Sequence, residues 1–214
     1  IVTLMTLGAF PELLALGYLR NQGLVEHLES ISSVHVDWTQ GRVDVTTFNR
    51  REIFSGSTYN ENITPLSQLA PKDKLPQSEV YKLLKNLASA NKVYRTAGGV
   101  HGCAVCNNTK PLSFVEDIGR HNAADTIGGY MWLNRIDGAG KQLYCTGRLT
   151  SEIVIKAARM KISTLLSRSG ITRLGLDIAK ELNITLIARA KGDHFLIYHG
   201  HDTILYDISK KDDP

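Results

Sequence analysis

Between Leu112 and Ile187 the chain offers four short apolar runs, each followed by a polar loop and the first three then by an amphipathic stretch. This alternation narrows the possible folds more than any other feature of the sequence. Leu112 to Val115 reads as a buried strand, and Ile127, Tyr130, Met131 and Leu133 recur after it at roughly helical spacing. Gln142 to Cys145 runs into Thr146-Gly147-Arg148, where Thr150 or Ser151 can cap a helix with Glu152 in its first turn. Ser163 to Leu166 ends at Ser167 to Arg173, ahead of a helix through Glu181, and Ile184 to Ile187 ends at Ala188 to Asp193. Strands alternating with helices pair in parallel through crossovers and are covered by those helices, so the expected class is α/β with the strands' carboxyl ends along one edge.

Open sheets of this kind bind ligands beyond those carboxyl ends. The loops gathered there carry Arg120, His121, Arg148, Arg168, Arg173, Arg189 and Lys191. Any one of these cations is equally well read as a solvated loop end, but the set points to an anionic, phosphate-bearing ligand. The densest junction is Glu116-Asp117-Ile118-Gly119-Arg120-His121-Asn122, where Gly119 suits a sharp turn and the free amides of a new helix can hold an anion. A carboxylate from Asp117 or Asp125 would satisfy His121 structurally, and the same pairing would orient its imidazole for acid or base work.

Upstream, Pro11 is placed to open a helix with an apolar face at Leu13, Leu14, Leu16, Tyr18 and Leu19, ended by Gly23. Ile31 to Trp38 and Val43 to Phe48 read as a hairpin. The polar stretch from Ser55 to Pro76 contains Pro65, Pro71 and Pro76 and reads as a linker or loop. Two units are therefore expected: a small α+β unit over residues 1–75 and an α/β domain over 76–214. The second begins with a helix from about Ser78 to Ala90. A glycine-rich bend from Tyr94 to Gly99 then leads into a strand, and His194 to Tyr198 and Thr203 to Tyr206 close the sheet. The abrupt apolar start at Ile1 reads as that of a fragment of a longer gene product, lacking a first strand.

A chain of 214 residues suffices for one substantial core with a small attachment. Its net charge of +4 is too slight to argue for nucleic acid, and no apolar run nears the roughly 18 residues of a membrane span. Three cysteines, an odd number, speak for a reducing compartment and a cytoplasmic location. Cys103 and Cys106 follow His101 in a Cys-x-x-Cys spacing that supports three readings: sulfur chemistry, an incomplete metal site, or plain packing. In a regular strand the two sulfurs would face opposite sides and could share neither a metal nor a disulfide. Cys145 reads as core within reach of the ligand edge.

These motifs, Pro11 to Leu19 with Gly23-Leu24-Val25, Gly98-Gly99-Val100-His101, Glu116 to Ala123, Gly147-Arg148 with Ser151-Glu152, Thr172, and Ala188-Arg189, resemble the FdhD/NarQ formate dehydrogenase accessory proteins over nearly the whole chain. The resemblance implies a cytidine deaminase-like three-layer carboxy-terminal domain. It also implies a sulfurtransferase that takes sulfur from a cysteine desulfurase as a persulfide and passes it to molybdenum bis(molybdopterin guanine dinucleotide), the cofactor of formate dehydrogenase. Cofactor binding would fall to Ile187, Ala188, Arg189, Ala190, Lys191 and Gly192, joined by Arg120, His121 and Arg148, with a guanine nucleotide as partial mimic. The family's persulfide cysteine belongs in the stretch Phe54 to Asn60, which here has Ser57 and Thr58 and no cysteine. The catalytic expectation therefore moves to Cys103 and Cys106, and its alternative is a non-catalytic cofactor-binding chaperone. A zinc deaminase would need a glutamate where Cys103 stands. Homodimerisation through the sheet or the amino-terminal unit is compatible with the sequence.

Overall fold

The computed structural model describes residues 1–48, 66–70 and 74–208; the Phe54 to Asn60 stretch and most of the expected linker lie outside these. Helix α1 (Pro11–Asn21) has proline in its first turn, and a hairpin of β1 (Ile31–Asp37) and β2 (Arg42–Thr47) follows, as the alternation there predicts. Next come β3 (Leu75–Pro76), α2 (Gln77–Ala88), α3 (Lys92–Ala97), β4 (His101–Asn107), β5 (Lys110–Asp117) and α4 (Arg120–Leu133). The chain continues through β6 (Gln142–Cys145), α5 (Ser151–Arg159), β7 (Thr164–Ser167), α6 (Arg173–Glu181), β8 (Thr185–Lys191), β9 (His194–His199) and β10 (Ile204–Leu205).

One six-stranded sheet, in the order β5-β4-β6-β7-β8-β9, forms the middle layer. β6, β7 and β8 are parallel, β4 runs against both β5 and β6, and β9 runs against β8. β5, β6, β7 and β8 therefore all end at the same edge, as the sequence pattern requires, and β4 begins there. Alternate residues of each strand supply the two cores. Cys103, Val105, Leu143, Leu165 and Leu186 pack with residues of α4, α5 and α6 on one face, while Ala104, Cys106, Tyr144, Leu166 and Ile187 pack with α2 on the other. Helices on both faces of a mixed sheet make the three-layer α/β domain that was expected.

Three local expectations are corrected. β8 runs on through Ala188 to Lys191, where the sequence pattern predicts a loop, because Ala188 pairs with Leu196 and Lys191 with His194, leaving only Gly192-Asp193 as the turn. The segment Thr203 to Tyr206 does not close the main sheet: β10 leaves it after Gly200 (φ +80°) and pairs in parallel with β3. Part of the glycine-rich bend is helical, since Lys92 to Ala97 form α3 before Gly98 and Gly99 at positive φ.

The amino-terminal helix is tightly fused to the α/β layers. α1 lies on α4 with backbones so close that a Cβ on Gly17 would stand 1.7 Å from the Asp125 carbonyl oxygen, and one on Gly129 1.9 Å from that of Leu13. Leu14, Leu16 and Leu19 are buried. The expected boundary between residues 75 and 76 falls inside β3.

Candidate functional site

The edge where β5 to β8 end is assembled by loops that bond to one another. Leu149 N–H donates to Gly170 O (3.0 Å) and Thr172 N–H to Leu149 O (3.0 Å), so the loops after β6 and β7 join in a small parallel bridge between Leu149 and Ile171. Thr172 then caps α6 by accepting from Gly175 N–H (3.2 Å). Ser167, fully buried at the end of β7, donates to Gly147 O (2.7 Å) and accepts from Ser169 N–H (2.9 Å), fixing both loops from beneath. On β8, Arg189 sits at φ +54°, its N–H donates to Ser169 O (2.8 Å), and its guanidinium lies against Gly170. That kink lays Arg189 over Gly170 in the loop after β7, and the Leu149–Ile171 bridge ties the loop carrying Arg148 to it.

Arg120 and His101 enter from the other side of Gly147. A Cβ on Gly147 would come 2.8 Å from Arg120 Cδ and 3.3 Å from His101 Nδ1, so glycine is the residue that admits both side chains. Arg120 Nε is buried without a hydrogen-bond partner. Among the described residues, none of Arg120, Arg148, Arg168 and Arg189 has an ion pair with a carboxylate. Burial, then the Arg120 charge, lowers the His101 pKa. Of the residues expected to bind, Arg120, His121, Arg148 and Arg189 gather at the strand ends. Ile187, Ala188 and Ala190 are buried core positions of β8, with Arg189, Lys191 and Gly192 exposed.

The two acids of the Glu116 to Asn122 segment are used up locally. Glu116 accepts from the Val93 and Tyr94 N–H groups (2.7 and 2.9 Å) and caps α3. Asp117 accepts from Gly119 N–H and Asn122 Nδ2 (both 3.2 Å) and from the Thr6 hydroxyl, while Asn122 Nδ2 also donates to Met5 O (2.6 Å). The segment thus tethers the amino-terminal residues and shapes the turn, leaving Arg120 and His121 outside these bonds.

His121 is partnered neither by Asp117 nor by Asp125. Its Nδ1 lies 3.2 Å from Glu152 Oε2 on α5, without hydrogen-bond alignment. Burial drives its pKa down to about 4, against the pull of Glu152 and reinforced by Arg120, Lys156 and His101. His121 is therefore a neutral imidazole at pH 7. Because the folded pKa is depressed, the associated stability is present above the unfolded value of about 6.5 and is lost as pH falls toward 4. The His121 ring proton resonances should titrate with a midpoint near 4, lower still in Glu152→Gln; a midpoint above 6 would refute the assignment.

Behind His121 lies a feature missed in the sequence. Lys156, on the buried face of α5 and only 2% exposed, bonds both Asp125 oxygens (2.6 and 2.7 Å), and Asn21 of α1 donates to the same carboxylate (2.8 Å). Glu152 stands 3.5 Å from Lys156 one turn away. The signal was there: a lysine in the apolar run Ile153, Val154, Ala157, Ala158 requires a buried partner.

Cys103 and Cys106, the expected sulfur-carrying residues, occupy opposite faces of β4, and both are fully buried. Burial pushes the Cys106 thiol up to about 12. Among the described residues no three His, Cys, Asp or Glu side chains form a potential metal cluster.

The class the fold and edge define is a three-layer α/β domain whose strand ends carry arginines without carboxylate partners among the described residues, beside His101 and His121. The chain belongs to the FdhD/NarQ family, which it matches over residues 1–205. It is 29% identical to the sulfur carrier protein FdhD of Bacillus pumilus over 208 residues, 89% of this chain and 79% of the relative. It is 30% identical to the sulfur carrier protein FdhD of Staphylococcus haemolyticus over 203 residues, 87% of this chain and 77% of the relative. A crystal structure from Desulfotalea psychrophila, assigned as a formate dehydrogenase accessory protein, superposes with a TM-score of 0.80 at 30% identity, covering 96% of this chain and 83% of that one. No helix among the described residues is long and apolar enough to cross a membrane.

Proposed function

We propose that this chain is an accessory protein of formate dehydrogenase that holds molybdenum bis(molybdopterin guanine dinucleotide) as cargo on its strand-end edge and delivers sulfur to it, drawn from a cysteine desulfurase. The observation that carries the reading is the set of guanidiniums of Arg120, Arg148, Arg168 and Arg189 on interlocked loops, none of them paired with a carboxylate among the described residues, with Arg120 Nε buried and lacking an acceptor there. A buried donor without a partner costs free energy that a phosphate or pterin oxygen would recover. The family assignment, with relatives that are sulfur carriers and a formate dehydrogenase accessory protein, supports the accessory and sulfur-handling part of the reading. When bound, the cofactor would supply the metal that accepts sulfur. The protein's own residues would bind its phosphates through Arg148, Arg168 and Arg189 and exclude water with His101 and Arg120.

A guanine nucleoside diphosphate serves as the probe. Arg189→Ala should weaken its binding by about 2 kcal/mol, a factor of about 30, the cost of one charge-assisted phosphate contact. Isothermal calorimetry returning equal affinity for the two proteins would remove Arg189 from the site. One observation favours a second reading, a cofactor-binding chaperone that supplies no sulfur: Phe54 to Asn60 lack a cysteine, and all three thiols of the chain are buried. Dehydrogenase maturation that survives replacement of every cysteine would decide for it.

A further inference from the structure

The third cysteine, left aside as core in the sequence, directly faces Cys103. In the antiparallel ladder of β4 and β6 the two are Cα partners, and both side chains enter the same core, beneath Gly147 and Arg120. Directly paired residues of antiparallel strands stand about 4.5–5.5 Å apart at Cα, inside the range a disulfide spans. Cys103 Sγ lies 3.7 Å from Arg120 O, with the Cys145 sulfur as its other neighbour. A thiol has one proton to give, and a thiolate at Cys145 is the stronger acceptor. The Gly147 N–H and the Arg120 charge also lie near the Cys145 sulfur. These donors lower the Cys145 pKa despite burial, while that of Cys103 is raised well above the ordinary thiol value. Cys106, on the opposite face, has neither donor nor partner thiol among the described residues to favour its thiolate.

We propose that Cys145 and Cys103 form a dithiol site, at which Cys145 takes up a sulfane sulfur and Cys103 releases it as hydrogen sulfide. In the first step the Cys145 thiolate attacks the outer sulfur of a persulfide R–S–SH. The donor S–S bond breaks, R–S⁻ leaves, and Cys145–S–SH remains. In the second, the Cys103 sulfur attacks Cys145 Sγ, the Sγ–SH bond breaks, and the sulfane sulfur leaves as hydrogen sulfide carrying the Cys103 proton. The two protein sulfurs, now a disulfide, have supplied the two electrons that reduced it. A low-molecular-weight thiol resets the pair by exchange. The sulfur released is at the oxidation level a metal sulfide needs, so the site's biological place rests on the sulfur-delivery reading above, while the chemistry itself does not.

Inorganic tetrasulfide, a small sulfane-sulfur donor, is the test donor. Fully reduced protein would be exposed to it, quenched in acid, digested without reductant and mapped by mass spectrometry while free sulfide is measured. A Cys103–Cys145 cross-linked peptide, one sulfide released per cross-link, and an unmodified Cys106 peptide are expected. Cys103→Ser should trap one reducible sulfur on Cys145, and Cys145→Ala should give neither product. Sulfur on Cys106 or Cys103 with Cys145 untouched, or no modification of the wild-type chain, overturns the proposal without reference to any variant. Guanine nucleotide binding on the same preparations separates the two claims: binding without the cross-link removes only the dithiol, and the cross-link without binding removes only the cofactor reading.

Discussion

Lys156→Met is expected to lower the unfolding free energy by about 3–5 kcal/mol in urea, the cost of leaving a buried carboxylate without its counter-charge. The Asp125 oxygens receive two bonds from Lys156 and one from Asn21, and nothing exposed can replace the ammonium. Burial already holds the Asp125 pKa above its ordinary value, with Lys156 and Asn21 pulling it back. Removing Lys156 raises it further. A raised acid is favoured folded when protonated, so the variant's deficit should be greatest at neutral pH and shrink as pH falls through the raised value. A deficit that is constant from pH 7 to pH 4 would show that the loss is one of packing and not of charge. The double variant Asp125→Leu, Lys156→Met should recover most of the loss, since an apolar pair removes both desolvation penalties.

Gly17→Ala comes second, at about 3 kcal/mol, the upper end for overpacking. The new Cβ would meet the Asp125 carbonyl carbon at 2.6 Å and the Gly129 nitrogen at 2.6 Å, besides the oxygen already noted, and backbone atoms of a packed helix cannot rotate away. α1 must lift from α4, and the Asn21 bond to Asp125 lengthens with it. The thermal midpoint should fall, and the His121 resonances should shift although Gly17 does not touch that ring. A midpoint within 2 °C of wild type, at most about 0.5–1 kcal/mol, would mean the helices slide apart at little cost.

The three-layer fold was legible because period-two and helical patterns alternate cleanly after Leu112, and the opposition of Cys103 and Cys106 followed from strand geometry alone. β8 was cut short for an instructive reason. Ala188-Arg189-Ala190-Lys191 is itself a buried–exposed alternation, but the two cations made it look like loop. α3 was hidden because its six residues are held by Glu116, twenty-odd positions away, and no local signal records that cap. β10 pairs with two residues remote in sequence, and its apolar character fits either sheet. At the site, the arginines could be grouped from the order of strand ends. The Lys156–Asp125 pair and the Cys103–Cys145 apposition depend on which helix and which strand lie adjacent. Registers of that kind are set by tertiary packing, not by spacing along the chain.

The bridge between Leu149 and Ile171 has a consequence for how tightly an anion can be held. Two loops that share main-chain hydrogen bonds have already lost most of their conformational freedom in the folded protein, so little ordering remains to oppose association. Contact energy from Arg148 and Arg168, one on each loop, would then pass largely undiminished into the affinity for a bound anion. The same coupling makes the loops a single mechanical unit, in which substitutions on one alter the worth of contacts on the other, and their effects on binding will not simply add.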